Sequence, residues 1–459
     1  MTLLTAYAEF VNQSAHMPWP KALDHHARRA VLDWTGALVA GASAEPSQRL
    51  RRAYADEGQG GPASVAGTPQ RHAIRAAAFL NGTISHVAEF DDIFRDGVYH
   101  PACPTISAIW PLAEQRQASL GQTLRAVVAG YEVSTRIARA IQPSHYQWFH
   151  TTGTVGVFGA SAGAAAVLGL GAEAAAHAMA MAGTFASGLQ QAFRSDAMSK
   201  PAHAGHAAEV GVQAALMAEA GMTGALDLLE GPAGLGAAMC DAPRWDQALD
   251  GLGQTFLIGQ MTFKNHGCCG HNFAALDGLA HLMRTHGLRA QDLAAVRVGG
   301  YRATVEVCAQ RHPRTPFEAK FSLSHTLACQ ALLGSVRERA VAPEQLGRAD
   351  LQAFERLVSV TLDEDCDRAF PRQRSARVTV LLHDGRELVH HQHTRHGDPN
   401  DPLTDAELID KFMELTSPRL GERDARWLVE AILERQDVTP AELAQRWARD
   451  CSTRSGDRP

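Results

Sequence analysis

From Leu3 to about Leu252 the apolar positions recur every three to four residues, the spacing of helices that bury one face. Leu23, Ala27, Ala30, Val31 and Trp34 form one such stripe over 20–39, and further helices are predicted over 71–89, 107–117, 120–141, 156–168, 172–188 and 201–220. Several are dominated by Ala and Gly, so their backbones can approach closely in a dense bundle. After Gly253 the period changes. Residues 294–299, 358–362 and 378–382 alternate as strands. Asp384-Gly385 before Leu388 signals a hairpin. A helix over 273–286 lies between, and Thr315-Pro316-Phe317-Glu318 is a capping box that predicts a helix running to about Leu333. The expected fold class is mostly α: a large helical-bundle domain over 1–262 and 397–459, with a smaller α+β lid domain over 263–396. Residues 398–402 read as a linker, Thr404 and Thr439 open further capping boxes, and the tail 451–459 reads as disordered.

Composition narrows the function classes. A net charge of −6 argues against a basic nucleic-acid surface. The N-terminal MTLLTAYAEFVNQ lacks a basic start and carries Glu9 inside its apolar pattern, so it predicts an amphipathic helix and a cytoplasmic protein, not a signal peptide. The most apolar run, 155–171, is mostly Gly and Ala and is followed by Glu173 and His177, which predicts a buried helix and no membrane partner. The 8 cysteines are scattered without a disulfide spacing, in keeping with a reducing compartment.

The candidate chemistry lies in a few polar islands. Of 43 basic residues only Lys21, Lys200, Lys264, Lys320 and Lys411 are lysines, and two of them sit in Gly/His-rich segments. In SKPAHAGHAAEVG, Pro201 at the first helical position makes Lys200 the expected N-cap, with His203 and His206 in the first turn. A helix start is electropositive, so an amine and two imidazoles there suit a carboxylate. NGTISHVAEFDDIFRDGVYHPACP runs off a helix into a loop bearing Glu89, Asp91, Asp92, Asp96 and His100, groups fit for acid–base work. His86, on the helix itself, reads as a core histidine. His150 directly precedes a Thr/Gly helix start. HGCCGH, 266–271, invites a metal or a cysteine nucleophile, but adjacent cysteines and the missing second pair of ligands argue against zinc.

Taken together, NGT..H..EFDD, FH.TGT.GVFGA, KP.H.G.AA..G, the Lys264 loop before AALDGL, and AKFSL resemble the MmgE/PrpD family of 2-methylcitrate dehydratases and cis-aconitate decarboxylases, in family order over about 25–420. The resemblance implies a cofactor-independent homodimer with an active site between a helical domain and a lid domain. It implies a lyase acting on a small di- or tricarboxylate by dehydration or decarboxylation, with an epimerase of a dicarboxylate such as iminodisuccinate as the alternative. A metal-dependent hydrolase built on HGCCGH is the second alternative. The implied catalytic residues are Glu89, His100, His150, Lys200 and Lys264. The two lysines with His203, His266, His325 and Asp92 would bind substrate. Three positions depart from the family pattern: Glu89 replaces an aspartate, His325 a tyrosine and Phe273 a histidine.

Overall fold

The computed structural model describes residues 1–56, 60–193, 197–308 and 312–449, so the predicted disordered tail lies outside the described residues. The chain is mostly helical with a small share of strand. It divides into two compact units, 1–262 with 405–459, and 263–404.

The first unit is helical, apart from a short antiparallel pairing of 63–64 with 71–72. Helices Lys21–Ala42, Leu120–Ile141 and Gly156–Leu168 follow the apolar spacing closely. The helix Ala102–Arg116 begins five residues before the predicted 107, because prolines 101 and 104 fall at its cap and first turn, where a missing N–H costs nothing. The helix after Ala172 stops at Thr184, short of the predicted 188. The apolar window 151–168 has the composition of a membrane span, but 83% of it is buried inside the unit. Trp34, Trp110 and Trp447 meet with ring centroids 5.2–6.4 Å apart, which ties the C-terminal helix Pro440–Trp447 into the core.

Small residues set the helix spacing. Ala202–Glu219 packs on Ile74–Val87 and on Gly156–Leu168. At Gly205 an added Cβ would stand 2.3 Å from the Phe79 carbonyl oxygen and 2.2 Å from Thr83 Oγ1, so the first pair of helices touches backbone to backbone.

The second unit carries a sheet in the order 358–362, 293–300, 376–382, 387–392. The first two strands run parallel and the other pairings are antiparallel. Gly385, at φ 86°, turns the predicted hairpin. Helix Phe273–His286 covers one face. The predicted single helix from the Thr315 box to Leu333 is two: Pro316–Lys320, capped by Thr315, and Leu323–Leu333, capped by Ser322, whose hydroxyl accepts from the His325 N–H at 3.2 Å. The Ser322 hydroxyl offers the backbone a fresh N-cap, and the chain takes it.

Candidate active site

The polar island after helix Ile74–Val87 folds around Asp91. That helix ends at Val87, and Glu89 takes a left-handed backbone, φ 61°, unusual for a residue with a side chain. Lys411, buried on helix Asp405–Leu420, holds the next residue: its Nζ donates to the Phe90 carbonyl at 2.8 Å and to Asp33 Oδ1 at 2.6 Å. Asp91 and Asp92 then turn inward and are fully buried.

One oxygen of Asp91 gathers three donors. His86 Nδ1 lies 2.8 Å from Oδ2, His100 Nδ1 3.0 Å, and the Cys103 thiol donates at 3.3 Å. His100 Nδ1 also meets the Asp92 carbonyl at 2.9 Å. These two groups facing His100 Nδ1 are acceptors, so Nδ1 carries the proton, and in the neutral ring Nε2 is left with a lone pair. His86 Nδ1–H is fixed in the same way, and its buried Nε2 meets no hydrogen-bonding group. Asp92 has both oxygens occupied by protein, Oδ1 by the Ala102 N–H at 3.1 Å and Oδ2 by the Tyr131 hydroxyl at 2.8 Å. Burial first, and then the charge of Asp33, push its carboxyl up to about 8.

His150 is brought to the same place by the short helix Thr151–Thr154, whose N-cap it is. Its backbone N–H donates to the Gly188 carbonyl at 2.8 Å. Its ring stacks on His86, centroids 5.6 Å apart, and its Nδ1 stands 3.0 Å from Nδ1 of His203. Burial, followed by the neighbouring His86, Lys200 and His100, holds His150 well below the ordinary imidazole range. Burial and the same kind of neighbours bring His203 down to about 4. Both rings are therefore neutral at pH 7.

Helix Ala202–Glu219 starts one residue later than the pattern suggests: Pro201, not Lys200, is its N-cap. Lys200 instead reaches back to Glu89 and forms an ion pair with it. Burial alone would depress the ammonium, but the charge and hydrogen bond of Glu89 outweigh this and raise it, so Lys200 remains a cation. Of the first-turn histidines, His203 joins the cluster, whereas His206 turns to the Phe185 carbonyl at 3.4 Å.

The remaining predicted residues belong to the second unit. Lys264 is buried there. The two histidines of HGCCGH go to different partners: His266 Nε2 to Asp277 Oδ1 at 2.8 Å, and His271 Nδ1 to the Tyr301 hydroxyl at 2.8 Å. His325 is buried between Glu355 Oε1 at 2.9 Å and the Ala340 carbonyl at 3.1 Å. Burial would lower it, but hydrogen bonds to Cys329 and Glu355 override this and hold it up to about 10. Among the described residues, the His/Cys/acid group with converging ligand atoms is His86, Asp91 and Cys103. Its contacts to Asp91 of 2.8 and 3.3 Å are those of hydrogen bonds. Two ligands of one tetrahedral ion bound at about 2.0–2.1 Å would stand roughly 3.3 Å apart or more, so His86 and Asp91 are too close to share one as they stand.

Sequence reasoning thus reaches Glu89, His100, His150, Lys200 and His203, and misses His86 and Cys103. His86 lies on a helix interior, and nothing local shows that the turn after Val87 folds Asp91 back on it. The arrangement offers a fixed cation beside a carboxylate, two neutral imidazoles in contact, and two further imidazoles, His86 and His100, each with Nδ1–H held by Asp91. That set can bind a carboxylate and move protons next to it.

The amino-acid sequence matches two family models, the MmgE/PrpD N-terminal domain over residues 5–248 and the MmgE/PrpD C-terminal domain over 266–435. Cis-aconitate decarboxylase of Homo sapiens is 24% identical over 432 residues, covering 90% of this chain and 87% of that protein. The Mus musculus cis-aconitate decarboxylase is 24% identical over 439 residues, covering 91% and 88%. The cis-aconitate decarboxylase-like protein oryM of Aspergillus oryzae is 24% identical over 430 residues, covering 87% of each chain.

Proposed function

Because the chain belongs to the MmgE/PrpD family, we propose that it is a lyase that removes carbon dioxide or water from a small di- or tricarboxylate. The observation that carries the reading is the junction of the Glu89–Lys200 pair with the His150–His203 pair and the Asp91-anchored His86 and His100. The three relatives named as cis-aconitate decarboxylases or like them make an unsaturated tricarboxylate the first substrate to test.

In this reading Lys200 takes a substrate carboxylate and stabilises the charge that builds up next to it, a preorganised contribution of several kcal/mol. In a decarboxylation the C–CO2 bond breaks, its electron pair stays on carbon spread into the neighbouring unsaturation, and an imidazole N–H returns a proton there, the ring being made neutral again by a proton taken up from water. In a dehydration His150, neutral because it is buried, takes the α-proton while the hydroxyl leaves with a proton from the other side. His100 serves that side as an imidazolium, its charge offset by Asp91: the Nε2 proton goes to the leaving hydroxyl and forms water, while Nδ1–H stays pinned by Asp91 and the Asp92 carbonyl, and the ring ends neutral. Each step is a proton transfer or a charge placement.

The test is proton NMR in D2O of the purified protein with aconitate-like, citrate-like, tartrate-like and iminodisuccinate-like acids. Loss of carbon dioxide, or vinyl signals gained or lost by addition of water, supports the lyase. Deuterium entering an α-position of an otherwise unchanged acid makes it an epimerase instead. Alanine at His150 or Lys200 should abolish turnover with folding intact, and an active variant at either position refutes the assignment of that residue.

A further inference from the structure

We propose that His203 is a positioning residue that sets the tautomer of His150 and carries its proton to solvent. The inference rests on the proton-transfer reading of the cluster. Two imidazoles that meet Nδ1 to Nδ1 at 3.0 Å share one proton between them: one ring must donate and the other accept. Each neutral ring has a single N–H, so the choice at the shared bond dictates the far nitrogen. If His150 donates through Nδ1, its Nε2 is bare and basic; if it accepts, its Nε2 carries a proton and is an acid.

One transfer through the pair therefore interconverts the two states without creating a charged ring. His150 Nε2 takes a proton from the substrate carbon, and the C–H electron pair stays on the substrate. The Nδ1 proton of His150 passes to the lone pair on His203 Nδ1, and the Nε2 proton of His203 leaves to water. Both rings begin and end neutral with their tautomers exchanged. The environment favours that route over forming an imidazolium, since both rings are held below the ordinary range by burial and by His86 and Lys200. His150 is 2% exposed, whereas His203 is half-buried and has the solvent contact that His150 lacks.

The surrounding backbone keeps the rings together. An added Cβ at Gly188, φ 131°, would stand 3.2 Å from His203 Nδ1, and one at Gly153 would stand 2.3 Å from the Ser187 carbonyl oxygen and 3.1 Å from His203 Cβ. Side chains at either glycine would crowd His203 away from its partner. This role differs from direct binding of substrate by His203: a relay acts through His150, so its loss slows the step without weakening substrate capture.

The experiment begins without any substrate. Protein labelled with 15N-histidine, its signals assigned through His150→Gln and His203→Gln, should show at neutral pH one Nδ1–H ring and one Nε2–H ring in this pair, with scalar coupling between the two Nδ1 nuclei across the hydrogen bond. Two Nε2–H rings without that coupling would overturn the proposal, whatever the protein's activity. With a turned-over acid in hand, His203→Ala and the more conservative His203→Gln should each lower kcat about 10²-fold at unchanged KM. Added imidazole should restore His203→Ala. A raised KM at unchanged kcat, with no rescue, would make His203 a substrate ligand and overturn the relay. Failure of every acid in the panel would count against the lyase and leave the tautomer result standing.

Discussion

Replacing Gly205 by Ala tests whether the spacing of two helices fixes the geometry of the candidate site. Gly205 sits in the first turns of helix Ala202–Glu219, three residues from Ala202 and two from His203, and faces helix Ile74–Val87, which carries His86. A Cβ there would stand 2.3 Å from the Phe79 carbonyl oxygen and 3.1 Å from the Thr83 nitrogen, both backbone atoms that no rotamer change can remove. Relief requires the helices to part by roughly 1 Å, since non-bonded atoms settle at about 3.5 Å. Overpacking of this kind costs about 1–3 kcal/mol. At roughly 2 °C per kcal/mol for a unit this large, the melting temperature should fall by about 2–6 °C. The effect on turnover should be larger than the effect on folding. His203 rides on helix Ala202–Glu219 and His150 caps the separate helix Thr151–Thr154, so a shift of about 1 Å of the former relative to the latter would stretch their 3.0 Å contact beyond hydrogen-bonding range. Calorimetry and steady-state kinetics on the same preparation separate the two. An unchanged melting temperature together with full turnover would refute the argument that these helices touch without slack.

Three further outcomes follow from buried charges. Lys411→Met should destabilise the first unit by about 3–5 kcal/mol, because Asp33 is left buried without its cation; chemical denaturation should show it, and the added change Asp33→Asn should recover most of the loss. His325 has a folded value of about 10, above the ordinary 6.5, so its contribution is fully present below about pH 6.5 and is lost as the pH rises through 10. His325→Phe should remove that alkaline loss from a plot of melting temperature against pH; a variant that still loses stability over the same window would clear His325 of the effect. Asp92 has a folded value of about 8 against 3.8, so stability should decline as the pH rises from about 4 to 8. Asp92→Asn should flatten that decline in the same plot, and an unaltered slope would show that the carboxyl is ionised in the folded protein.

The elements most legible in the sequence are those whose evidence is local. Leu120–Ile141 follows a Ser119–Gln122 capping box and keeps a continuous apolar stripe, and Phe273–His286 ends on Gly287 in a left-handed cap. The hairpin at Asp384-Gly385 is legible for the same reason. The parallel pairing of 293–300 with 358–362 is not, because it joins strands about sixty residues apart and leaves no local mark. The break at Phe321 is masked by the strong capping box at Thr315, and only Ser322 hints at it. In the site, histidines and lysines beside glycines and helix starts announce themselves. His86 does not, since a buried histidine on a helix looks the same whether it fills a core or holds a carboxylate.

The anchoring of Phe90 by Lys411 sets an order of events during synthesis. Every side chain of the cluster, from His86 to His203, is made in the first half of the chain, but the ammonium that pins the loop beside Glu89 arrives more than two hundred residues later. A nascent chain that has already packed its Ala- and Gly-rich helices still lacks the group that neutralises Asp33. Until helix Asp405–Leu420 leaves the ribosome and docks, the loop has its Glu89–Lys200 pair and its Asp91 contacts but not the Lys411 clasp on Phe90, so it is fastened in full only at the end of translation.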